Sequence, residues 1–160
     1  MHDPVSRQAL TPALALDYVR ELSADVRAAI VLDGAGRLLA GPPDLAEPAR
    51  VLLAAGGNAA ELEAAGEHGV VCAVRSPAHA AIAACGRFAI AGVVRQDLRA
   101  ALAAIEGRAP GSDAPLAPIE DAVRDTAQPP RRDAVEAPSA EALERAAEAL
   151  ISAVQRGFGA

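Results

Sequence analysis

The chain has 160 residues and a formal charge of −6, and it is 52 % hydrophobic but only 2 % aromatic. That length predicts one domain whose core is built from Ala, Val, Leu and Ile without metal or disulfide support. Arginine is the only strong base and acidic residues outnumber it, which argues against nucleic acid, since phosphate neutralisation needs a basic patch. Cys72 and Cys85 are too few for a disulfide framework or a structural zinc site. The opening "MHDPVSRQAL" lacks the order of a signal peptide, and no apolar run reaches a membrane span, so a soluble, cytoplasmic protein is expected.

After a tail over 1–10, the domain is predicted to span 11–107. It starts with a helix in "TPALALDYVRELSADV", where Thr11 caps the first turn and Pro12 takes the first helical position. Ala15, Val19, Leu22 and Val26 fall on one face at helical spacing. "AAIVLD" and "RLLAG" then read as a strand pair around "GAG". "DLAEPARVLLAAGG" predicts a second helix with Asp44 as its cap and Leu45, Ala49, Leu52 and Leu53 on one side; Pro48 is tolerated in its first turn. "AAELEAAGEHG" alternates as a strand with one wet face, and "GVVCAVR" and "HAAIAAC" read as an antiparallel pair joined by "SPA".

The segment "RFAIAGVVRQDLRAALAAIEG" admits a strand over 88–94, but Ile90, Val94, Leu98, Ala101 and Ile105 form one helical stripe. A single helix from about 87 to 106 is therefore expected, with Gly92 at a close approach of another element. Proline and glycine mark 108–138 as a linker, in which "PIEDAVRD" could form a helical turn. The last part, 139–160, predicts an amphipathic helix with the stripe Leu143, Ala147, Leu150, Ile151 and Val154. Such a stripe must be buried: on its own domain, on a dimer mate, on a partner or on a membrane surface.

No motif carries catalytic chemistry. The glycines of "DGAGR" are followed by "RLLAGPP", which leaves no helix to hold a phosphate, and there is no lysine for a P-loop; a hairpin turn formed by Asp33 is expected instead. Cys72, Cys85, His68 and His79 lack close ligand spacing, and Glu61, Glu63 and Glu106 read as solvated. No cofactor or metal is expected.

The predicted order α–β–β–α–β–β–β–α, with "ADVRAAIVLDGAGRLLAG", "GEHGVVCAV" and "AGVVRQDLRAALAAIEG", resembles the Roadblock / dynein light-chain family. The matches are Ile30–Leu32, Asp33, Gly36 and Leu38–Ala40 in the first hairpin, Gly66–Gly69 in the later turn, and Gly92–Val93–Val94 with Arg95–Arg99 in the last helix. The resemblance implies an α+β fold: a five-stranded antiparallel sheet with helices on both faces. It also implies a homodimer joined through edge strands and second helices, here Ala60–Gly66, with Glu61, Leu62, Glu63 and Ala64, and Asp44–Ala55, with Leu45, Ala49, Leu52 and Leu53. Bacterial and archaeal members work with small Ras-like GTPases, so a non-catalytic regulator or scaffold is implied. The other reading is a small-molecule sensor with a pocket between sheet and helix.

Overall fold

The computed structural model describes residues 9–108 and 139–157. Most of the expected N-terminal tail and the expected linker beyond Arg108, with its helical turn, lie outside the described residues. The elements are α1 (Pro12–Leu22), β1 (Val26–Asp33), β2 (Leu38–Ala40), α2 (Ala46–Ala55), β3 (Glu61–Gly66), β4 (Gly69–Arg75), β5 (His79–Cys85), α3 (Ala91–Ile105) and α4 (Ala140–Gly157). All strand pairs are antiparallel, and the sheet order is β2-β1-β5-β4-β3.

The strands form where β-branched and small apolar residues alternate across two buried faces, as the near-continuous burial of β1, β4 and β5 requires. Ile30, Leu32, Leu62, Ala64, Val71, Ala73 and Ile82 point to one side, where α2 and α4 cover them. Val31, Cys72, Val74, Ala81, Ala83 and Cys85 point to the other, under α1 and α3. A bulge between Val26 and Ala28 lets these two residues face opposite layers although they are two apart. The first hairpin turns at Gly36, with φ of 79°, a conformation that glycine adopts without steric cost.

Helix ends differ from the sequence expectation. Thr11 does cap α1, its side chain accepting from the Leu14 N–H at 3.3 Å. The helix stops at Leu22 rather than 26, because Ser23 turns to extended backbone and donates its hydroxyl to Asp97 Oδ2 at 2.9 Å. Leu22 is consequently exposed, and Val26 belongs to β1. Asp44 lies inside a 3-10 turn, Pro43–Leu45, and the N-cap of α2 is Leu45, which makes no side-chain cap bond.

The third helix begins at Ala91, because a turn in which Gly86 N–H reaches Asp25 O and Ala89 N–H reaches Gly86 O consumes the preceding residues. Ile90 is its extended N-cap and 70 % exposed, so it is not part of the buried stripe; Val94, Leu98, Ala101 and Ile105 are. Among the described residues nothing lies within 4 Å of a Cβ added at Gly92, so no described element packs closely there.

Candidate interaction surfaces

The two sheet edges are unequal. β2 pairs β1 only through Val31↔Ala40 and Leu32↔Leu38, whereas β3 pairs β4 along its whole length from Glu61↔Val74 to Gly66↔Gly69. The bond from Arg75 N–H to Ala60 O at 2.8 Å fixes the alternation of that ladder. The main-chain groups of Glu61, Glu63 and Ala65 therefore point away from β4, towards an edge with no strand partner among the described residues. Such a row of free donors and acceptors is a template for pairing with another strand.

Side chains of β3 divide between the layers. Leu62 and Ala64 are buried with the α2–α4 core, and Glu61 and Glu63 lie outside on the α3 side. Arg95 Nη1 donates to Glu63 Oε2 at 2.7 Å, and Arg99 Nε lies 2.7 Å from Glu61 Oε1. These acids are thus exposed but paired, which holds the edge against α3 while adding little stability per exposed pair.

On α2, Leu45, Ala49 and Leu52 are buried within the protomer and Leu53 is half-buried. The open face of α2 presents Glu47, Arg50, Val51 and Ala54 instead. Much of the burial comes from α4, which packs on α2, β3 and β4 in the same chain. Ala147, Leu150, Ile151 and Val154 lie in that core, and Leu143 packs at its margin. His68 Nδ1 and Glu148 Oε1, 3.0 Å apart, tie the β3–β4 turn to α4. Arg75 donates from Nη1 to Gly57 O at 2.6 Å and from Nη2 to Leu53 O, closing the C-terminal end of α2, while its Nε is buried without a partner among the described residues. Burial lowers the pKa of this guanidinium.

The fold also gathers Ser76, His79 and Glu106, which sequence spacing left apart. Ser76 Oγ donates to Glu106 Oε1, His79 Nδ1 lies 3.0 Å from the same oxygen, and Arg108 pairs with Glu106 Oε2 at 2.5 Å. Burial raises the Glu106 pKa, but the bonds from Ser76, His79 and Arg108 outweigh it and leave the carboxyl below its ordinary value. Glu106 is therefore a structural acceptor rather than a solvated acid. The His79 main-chain N–H donates to Ser76 Oγ at 3.0 Å while its imidazole bonds the carboxylate, so the ring is not placed to take the hydroxyl proton and no Ser–His nucleophile pair forms. The only sequence signal was Ser76 and His79 three residues apart; Glu106 comes from the far end of α3.

The cysteines behave as buried apolar groups. Desolvation pushes the Cys72 thiol up to about 11 and the Cys85 thiol up to about 12, which suppresses the reactive thiolate. Asp33 forms the expected turn: Oδ1 accepts from the Arg37 and Ala35 N–H groups at 2.8 and 2.9 Å, and Oδ2 from Arg37 Nε at 2.9 Å. Among the described residues no group of three or more His, Cys, Asp and Glu side chains could hold a metal, and no helix is long and apolar enough to cross a membrane. A cavity of about 350 Å³ opens between α1, the start of β1 and the end of α4, lined by Leu16, Ala28, Leu45 and Val154 with Asp17, Arg20, Arg27 and Asp44.

This arrangement of sheet and helices is the Roadblock/LC7 fold. A Roadblock/LC7 domain from Streptomyces avermitilis superposes with a TM-score of 0.51 at 11 % identity, covering 62 % of this chain and 96 % of that one. A structure of MglB in a tetrameric arrangement superposes with a TM-score of 0.51 at 19 % identity, covering 67 % and 92 %. The sequence matches no protein-family model and no curated protein.

Proposed function

We propose that this chain is a non-catalytic, homodimeric regulator or scaffold of a small Ras-like GTPase, acting in the cytoplasm through its surfaces. The observation that carries the reading is the open, regular β3 edge on a fold shared with Roadblock/LC7 domains. Two copies pair through Glu61, Glu63 and Ala65, whose main-chain groups point outward, with Leu62 and Ala64 continuing the core on the inner face. Because α4 packs over β3, it borders the seam beside α2. The GTPase follows from the sequence resemblance, and the tetrameric arrangement of the MglB structure agrees with a fold that self-associates.

Light scattering on the full chain at tens of micromolar tests the dimer. Ala65→Pro removes an outward N–H without touching the β3–β4 ladder, so it is expected to give a folded monomer. A monomeric wild-type chain would refute the edge pairing. Pull-down with Ras-like GTPases in GDP and GTP-analogue forms tests the partner; retention of none would refute that part. The cavity beside Arg20 and Arg27 is the observation favouring the second reading, a small-molecule sensor, and thermal shifts with small anionic ligands would reveal it.

A further inference from the structure

Among the described residues, large exposed hydrophobic side chains concentrate on the layer opposite α2 and α4. Leu14, Tyr18 and Leu22 are 53 %, 50 % and 53 % exposed and recur every fourth residue along α1. Val93, Ile90 and Phe88, at 49 %, 70 % and 81 %, stand at the start of α3. The two helices run antiparallel, held by Ser23 to Asp97 at one end and by Leu10 N–H to Ala104 O at the other. The opposite flank of α1, with Ala13, Leu16, Asp17 and Arg20, faces the cavity near β1. The Leu14–Tyr18–Leu22 flank is therefore turned to α3, and Val93, one turn before Asp97, continues the apolar surface past its Leu22 end.

The charges beside this ridge are acidic. Glu21 sits next to it on α1 and Asp25 follows the helix, neither with an ion pair among the described residues, while Asp17 lies towards the cavity with Arg20. Glu21 in the last turn of α1 and Asp25 just beyond it stand at the negative end of the helix dipole, where Arg20 is the favourable charge. An added cation at this end would be favourable. Arg87 stacks over Phe88 at 5.3 Å.

We propose that the α1–α3 seam is a docking groove for a cationic amphipathic helix of another protein. An apolar helix face fits along Leu14, Tyr18, Leu22 and Val93, and Lys or Arg beside it meets Glu21 and Asp25. A second copy of this chain would set the same acids against each other, and an anionic bilayer would be repelled by them. This groove is on the far side of the sheet from α2 and α4 and does not depend on the GTPase reading.

Tyr18 is the chain's one tyrosine and there is no tryptophan, so its fluorescence reports the groove directly. The probe is an 18-residue peptide of Leu, Lys and Ala with leucines along one helical face, compared with its Glu-for-Lys counterpart. The full chain is expected to show a saturable Tyr18 change with the lysine peptide, weakened by 0.5 M salt and absent with the glutamate peptide. Leu14→Ser with Leu22→Ser, both exposed, is expected to weaken binding by about tenfold with an unchanged circular dichroism spectrum. Equal response to the glutamate peptide or to anionic vesicles, or no loss in the double variant, would overturn the proposal. So would light scattering that shows self-association abolished by Tyr18→Ser, since a second copy would then fill the groove.

Discussion

Leu150→Ala tests whether α4 belongs to the cooperative core. Leu150 is 1 % exposed within the cluster that includes Leu52, Leu62, Val71 and Ile82. The substitution removes three carbons, a transfer loss of about 2.4 kcal/mol at roughly 0.8 kcal/mol each. A residual void of about 50 Å³ adds about 1 kcal/mol at roughly 24 cal/mol per Å³. The sum, about 3–4 kcal/mol, is a large share of the roughly 5–15 kcal/mol that domains have, and it corresponds to a fall in Tm of about 8–15 °C. Urea unfolding of the full chain followed by circular dichroism measures it, with the exposed Glu144→Ala as the null comparison. A loss below about 0.5 kcal/mol, the size of an ordinary surface change, would refute the packing of α4 on the sheet.

The raised Cys72 and Cys85 pKa values favour the neutral thiols in the folded state, so their contribution is complete below the ordinary thiol value of 9.0 and is lost as pH rises towards 11–12. Stability is expected to fall over that window, and Cys85→Ala should flatten the slope; native thiols should also resist iodoacetamide at pH 8. Gly41 has φ of 107° and its added Cβ would lie 2.6 Å from Ala29 O, so Gly41→Ala should cost about 1–3 kcal/mol or more, read as a lower urea midpoint. The Asp33 carboxyl is held below 3.8, chiefly by the Arg37 N–H, with the Arg37 side chain and the Ala35 N–H adding to it. Its stabilisation is present above the unfolded carboxyl value and lost as pH falls through the lowered folded one; an NMR titration of Asp33 at or above 3.8 would contradict this.

The strands and the layering were legible because alternation and apolar runs are local signals. Val31 and Leu32 on β1, or Val71 and Cys72 on β4, must face opposite sides whatever the topology. Helix ends were less legible because distant residues set them: Ser23 stops α1 by reaching Asp97, and Gly86 delays α3 by bonding Asp25. Leu22 followed the spacing of a longer helix and was misplaced for that reason. The Ser76–His79–Glu106 group was invisible because α3 supplies its acid from a separate element. The exposed ridge of α1 lies at regular spacing in the sequence, yet periodicity alone cannot say which of two apolar flanks faces the sheet.

The place of α4 has a kinetic consequence. β3, β4 and α2 lie before residue 76, but the helix that covers them comes after a stretch from Ile105 to Ala140. The α1–α3 layer can close on the sheet once residue 105 has emerged, while the other face holds only α2. The sequence separation costs little entropy, yet it makes the second layer's contacts non-local and therefore slow to form. A chain emerging from the ribosome thus spends an interval with Leu62, Ala64 and Val71 uncovered beside an unpaired strand edge. During that interval it is most open to wrong pairing, and chaperone demand should peak there.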